Sequence, residues 1–243
     1  MLPVSTSDAG AAAAGRGTVF TNLFKGWDQM DLEFTFTQFV YLISSPSKVY
    51  KLTSWRKQTK NQWARDDPAF VVILVAFALI ATVAYGVAFG LATSPASLLV
   101  LVGHSMSHLF AFGGAMATLG WWAANKHLRV HHSHSVEQEV EWMYAFDIHC
   151  NAYLPLFVLL HVAQYLLLPV LCGPSFGAVL LANTLYACGF GAYFYVTFLG
   201  YMYLPFLERT EYFLYPIGAV GVLYVLAVVL RINVASAVLG LYL

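Results

Sequence analysis

Charge is what this chain most lacks. Only 10% of its 243 residues are Asp, Glu, Lys or Arg, where a soluble domain carries about a quarter. A chain so poor in charge and 60% hydrophobic must hide most of its surface in lipid, which argues against a water-soluble globular protein. Cysteine is scarce as well. Cys150, Cys172 and Cys188 show no paired spacing and no C-x-x-C, against both a disulfide scaffold and a cysteine zinc site. The net charge is zero, so an acidic or basic partner can be read only from how charge is distributed. The first 26 residues lack the apolar centre of a secretory signal, since the run Ala11 to Ala14 is too short. Residues 1–22 read as a disordered cytosolic tail, and targeting falls to the first span.

Long apolar runs are what the chain has. Five are long enough to cross a bilayer as helices, roughly 69–91, 98–124, 152–171, 176–199 and 212–230. The fold class is therefore an all-α membrane bundle of five transmembrane helices, with 69–243 as its membrane domain. Asp67 reads as an N-cap and Pro68 as the first helical residue of span one. The G-x-x-x-G at 86–90 makes a homo-oligomer plausible, and Gly113, Gly114, Gly189 and Gly191 could serve close helix packing. Eight Lys and Arg precede the first span, and the loops then alternate between some and none. By the positive-inside rule the N-terminus faces the cytosol and the C-terminus the lumen.

Most of the charge thus falls on one side, where residues 23–68 form an interfacial and juxtamembrane segment. Residues 28–43 start at a possible Asp28 cap and place Leu32, Phe36, Phe39, Val40 and Ile43 on one helical face, suited to lying on a membrane. From Lys48 to Arg65 there are six basic residues and no acidic one, a composition that attracts anionic headgroups at about 1 kcal/mol per charge. Arg56, Lys57, Lys60, Trp63 and Arg65 are the candidates for docking a lipid or a protein, beside a purely topogenic reading. RNA is an alternative partner for 48–65, with Trp55 or Trp63 stacking on bases. Glu139, Glu141 and Asp147 gather before span three, where Asn151 and Pro155 suit a first helical turn. A structural pairing of this acidic loop with the basic segment is the favoured reading of Glu141 and Asp147.

Histidines raise another possibility. His104 and His108, followed by "HLRVHHSH" at 127–134, resemble the first two histidine boxes of membrane di-iron desaturases and hydroxylases. Yet Met106 and Val130, the midpoints of the two motifs, are 24 residues apart, or about 36 Å along a continuous helix. A third box is missing, since only His149 and His161 follow. The oxygenase is therefore a remote alternative, and no metal site is assigned. Intramembrane His104 and His108 read as interhelical hydrogen-bonding groups, with Asn183, His161 or Gln164 as partners.

A broader resemblance lies in "RKQTKNQWARDDPAF" (56–70), "EWMYAFDIHCNAYLPLFVLLH" (141–161), "NTL" (183–185), "YVTFLGYMYLPFL" (195–207) and "LYP" (214–216). These stretches, in this order, resemble the Unc-fifty family of Golgi multi-pass membrane proteins. The resemblance implies five spans and a cytosolic N-terminus. It also implies a non-enzymatic role in vesicle-mediated transport, as a scaffold for Arf guanine-nucleotide exchange factors and in surface delivery of receptor cargo. Golgi membranes are the implied residence, with inner nuclear membrane or endoplasmic reticulum as alternatives. No cofactor or catalytic residue is carried over. Asp67, Pro68, Glu141, Asp147, His149, Asn151 and Asn183, which lie in the quoted stretches, are the structural candidates.

Overall fold

The computed structural model describes residues 30–130 and 138–240, the side chains of Arg56 and Lys60 excepted. Regular structure among them is helical, apart from one antiparallel bridge between Arg129 and Leu207. Two helices precede the membrane spans. The first, α1, runs Leu32–Ser44 from an Asp31 cap whose carboxylate accepts the Phe34 N–H at 2.8 Å. The second, α2, runs Pro46–Lys60, with Pro46 in its first turn and Asn61 in the left-handed conformation past its end. The expected Asp28 cap lies outside the described residues.

Five helices are long and apolar enough to span a bilayer: α3 (Ala69–Ala88), α4 (Pro95–Leu128), α5 (Trp142–Leu171), α6 (Phe176–Met202) and α7 (Thr210–Val229). A short helix, α8 (Val234–Leu239), folds back onto the bundle. Helix α5 is the hub: from Ala145 to Phe157 every residue but Phe146 is buried, with α4, α6 and α3 around it. Helix α7 packs on α6, and its most apolar window buries nothing inside the protein.

Apolar side chains gain nothing by leaving lipid for a helix interface, so close approach of backbones matters instead. Gly113 of α4 sits under the His149 ring, Gly120 under the Tyr201 hydroxyl, Gly189 of α6 under Leu160 and Gly200 under Ile148. Gly114 and Gly191, expected to serve the same purpose, face open space. The 86–90 pattern is used within the chain: Gly86 meets Leu101 of α4, and Gly90 turns the backbone at φ 66°.

Three expectations need correction. Helix α5 begins at Trp142 rather than near residue 152, so Asn151 and Pro155 lie mid-helix instead of in a first turn. At the start of α3 the cap is Pro68, and Asp67 supports it one residue earlier by accepting the Ala69 N–H at 2.8 Å. The apolar face of α1 is split. Phe39 turns inward onto Phe70 and Phe77, at centroid distances of 4.6 and 5.8 Å. Leu32, Phe36, Val40 and Ile43 stay exposed along the other side.

Candidate functional site

The charged segment and the head of α5 meet in a clamp. Past Asn61 the backbone is irregular, and its N–H groups need acceptors if they are to be held against apolar helices. Helix α5 supplies them. Glu141 accepts the Trp63 and Ala64 N–H groups at 3.3 and 3.2 Å, and Asp147 accepts the Arg65 N–H at 2.5 Å. One turn further, the Asn151 side-chain oxygen accepts from the Arg65 guanidinium at 2.6 Å. Asp67 ties in α1 by accepting the Asp31 N–H at 3.1 Å. Glu141, Asp147 and Asn151 thus act on the backbone and guanidinium of residues 63–65.

Packing reinforces these bonds. Trp63, 5% exposed, lies between Tyr144 of α5 and Phe206 of the loop after α6. The Arg65 guanidinium stacks on Phe70, 4.0 Å from the ring centroid, and Phe39 closes the far side of that ring. Beside them Tyr50 of α2 is wholly buried, its hydroxyl facing Asn151 without a sound hydrogen bond. Burial raises the pKa of that hydroxyl well above the ordinary phenol value, outweighing the lowering by Asn151 and the Arg65 charge. Tyr50 is therefore neutral at physiological pH. Two other Arg65 nitrogens, Nε and one terminal NH, are buried without partners.

Of the five candidate docking residues, Trp63 and Arg65 therefore point inward. Lys57 folds over Trp63 and donates to the Asn61 carbonyl at 3.0 Å. The side chains of Arg56 and Lys60 lie outside the described residues, while Lys48, Lys51 and Trp55 are exposed. For base stacking only Trp55 of the two tryptophans is accessible.

A second polar centre lies deeper. His149 Nε2 is 3.2 Å from the Leu109 carbonyl and Nδ1 is 2.8 Å from the Tyr193 hydroxyl. A carbonyl can only accept, so in the neutral ring Nε2 carries the proton and Nδ1 accepts from Tyr193. Helix α4 is arranged to allow this. It takes a π-helical turn over His108–Phe112, and the Gly113 N–H turns to the Phe110 carbonyl, leaving Leu109 for the imidazole. The missing Cβ of Gly113 makes room for the ring.

The remaining histidines do not come together as an oxygenase would need. Helix α4 is continuous from Pro95 to Leu128, which holds His104 and His108 a bilayer's thickness from His127. Residues 131–137, with His131, His132 and His134, lie outside the described residues. Among the described residues no group of three or more His, Cys, Asp or Glu comes to metal-binding distance. The His104 and His108 rings lie 4.6 Å apart at a 56° tilt, and His161 stacks on Phe157 at 4.9 Å. Asn183 is not their partner. It holds the C-terminal segment, donating to the Ile232 carbonyl at 2.9 Å and accepting the Val234 N–H at 3.0 Å.

Comparison with known proteins gives this geometry a family. The sequence pattern that defines the UNC-50 family matches residues 19–243. The chain belongs to the UNC-50 family. It is 47% identical over 257 residues to the protein unc-50 homolog of Dictyostelium discoideum, covering 100% of this chain and 98% of that one. Identity to protein unc-50 of Caenorhabditis elegans is 40% over 215 residues, 88% of this chain and 70% of the relative. To the protein unc-50 homolog of Homo sapiens it is 39% over 232 residues, 95% and 88% of the two chains. No solved structure matches. Both halves of the clamp fall inside the UNC-50-like stretches of the sequence, Trp63 to Asp67 in one and Glu141 to Asn151 in the other. Tyr193 and Asn125, by contrast, carried no signal in the sequence. Asn125 exchanges two hydrogen bonds with the backbone of Val140, at 3.0 and 2.8 Å, and so ties the end of α4 to the approach to α5.

Proposed function

We propose that this UNC-50 family member is a non-enzymatic scaffold of early secretory membranes, the Golgi above all. On this reading its N-terminus and the α1–α2 face are cytosolic. That face recruits Arf guanine-nucleotide exchange factors and so supports vesicle-mediated transport and surface delivery of receptor cargo. The observation that carries the reading is the clamp. Glu141, Asp147 and Asn151 spend their hydrogen-bonding capacity on holding residues 63–65, which fixes α2 as a rigid ledge on the spans. A fixed ledge with Lys48 and Lys51 outward is suited to presenting a surface, for a protein or for anionic headgroups.

Crosslinked affinity purification from membranes tests this. The native chain is compared with one in which Arg56, Lys57 and Lys60 are changed to Glu, after confirming unchanged topology. Enrichment of Arf exchange factors or coat components by the native chain alone is the expected result. Equal recovery from both would make the basic segment topogenic, and recovery from neither would end the scaffold reading.

A further inference from the structure

Between α4, α5, α6 and α7, at the end of the bundle that carries α1 and α2, lies a cavity of about 190 Å³. Met116 and Ala123 of α4, Ile148 of α5, Phe194 and Tyr201 of α6 and Phe213 of α7 are among its walls. Leu119 and Tyr212, 59% and 46% exposed, line it as well and place its mouth on the flank between α4 and α7, toward lipid. The lining is apolar, and its buried polar groups are accounted for, with one exception. His149 and Tyr193 bond each other, and Thr197 donates to the Tyr193 carbonyl at 2.9 Å. Tyr201 is only 1% exposed and stacks on Phe213 at 4.0 Å. Its hydroxyl, set against Gly120, has no hydrogen-bond partner among the described residues.

A hydroxyl that opens into an apolar cavity without an acceptor costs free energy. The cavity's level supplies a candidate acceptor. Tyr201 stands in the last turn of α6 and Tyr212 and Phe213 in the first turn of α7, the depth at which spans end and ester carbonyls of glycerolipids begin. The volume suits part of a chain rather than a whole lipid, since a dry cavity of about 150 Å³ takes a benzene-sized group.

We infer that this cavity is a binding site for one acyl chain of a bilayer glycerophospholipid, whose ester carbonyl accepts a hydrogen bond from Tyr201. The carbonyl end of the chain enters between α4 and α7, and its first methylenes fill a void that the helices do not close. The site needs no anionic headgroup, which separates it from the basic ledge of α2.

The test uses the full chain in phosphatidylcholine nanodiscs doped with a phosphatidylcholine carrying a diazirine on one acyl chain. Light-induced adducts are mapped by mass spectrometry. Adducts should concentrate on Met116, Ala123 and Phe194 over Val222 and Leu226 on the outward face of α7. Ala123→Phe, which fills the cavity, should cut the cavity adducts about tenfold, and Tyr201→Phe about fivefold, as expected for the loss of one hydrogen bond. Unchanged hydrogen-exchange protection of the α5 amides shows that each variant is folded. Equal labelling of both faces, or cavity adducts indifferent to both variants, would overturn the inference.

Discussion

His149 shows how a titratable side chain can be spent on architecture. Its two nitrogens join three helices, through Leu109 of α4 and Tyr193 of α6. His149→Phe keeps a ring of similar shape but orphans a carbonyl and a hydroxyl. It should cost about 1–3 kcal/mol in reversible unfolding in mixed micelles. Tyr193→Phe added to that variant should cost little more, because the hydroxyl has already lost its partner. Asp147 gives a graded version of the same argument. Asp147→Asn retains an oxygen for the Arg65 N–H, whereas Asp147→Ala leaves none. The Ala variant should lose about 1–3 kcal/mol and the Asn variant distinctly less, read by the same unfolding measurement. Sequence reasoning could single out Asp147, His149 and Asn151 because polar groups among apolar ones stand out. It could not name Tyr193 or Gly200, which lie 44 and 56 residues from the His149 and Tyr144 side chains they receive.

Helices with uniform surroundings were the legible ones. Spans α3, α6 and α7 follow hydropathy to within about three residues, since nothing but lipid and apolar neighbours decides them. A hydropathy scan misses the start of helix α5 because it stops at Glu141, Asp147 and Asn151. The folded chain does not stop there, since residues 63–65 satisfy those side chains from a distant part of the sequence. Helix α1 was half legible. Its apolar residues were plain, but which of them turn toward Phe70 depends on where α3 stands. The clamp also predicts a local effect. Glu141→Ala should speed hydrogen exchange at the Trp63 and Ala64 amides while leaving the amides of α3 beyond its first turn protected. Equal exchange in variant and native chain would mean that Trp63 packing alone holds the loop.

The five spans are unequal, and the surplus lies at one end. Helices α3 and α7 have 20 residues each, whereas α4 has 34 and α5 has 30. At 1.5 Å per residue the short pair reach about 30 Å, and α4 and α5 about 50 and 45 Å. The excess of α4 and α5 stands on the side of α1 and α2, where Asn125 holds Val140 and the loop after α4 pairs with the loop after α6. In the proposed orientation that side is cytosolic. A glycosylation acceptor appended after residue 243 should therefore be modified, and one inserted at 203–208 should not, in a microsomal assay.

The short pair carries a consequence of its own. A 20-residue span matches a hydrocarbon layer of about 30 Å or less and falls short of the sterol-rich plasma membrane at about 32–33 Å. Helices α4 and α5 can slide through thicker bilayers unharmed, but α3 and α7 would draw the headgroups inward around them. Thickness alone should then disfavour this protein's passage to the cell surface, without any sorting peptide. Adding four leucines to the middle of both α3 and α7 should let it leak outward, a change that surface biotinylation would register.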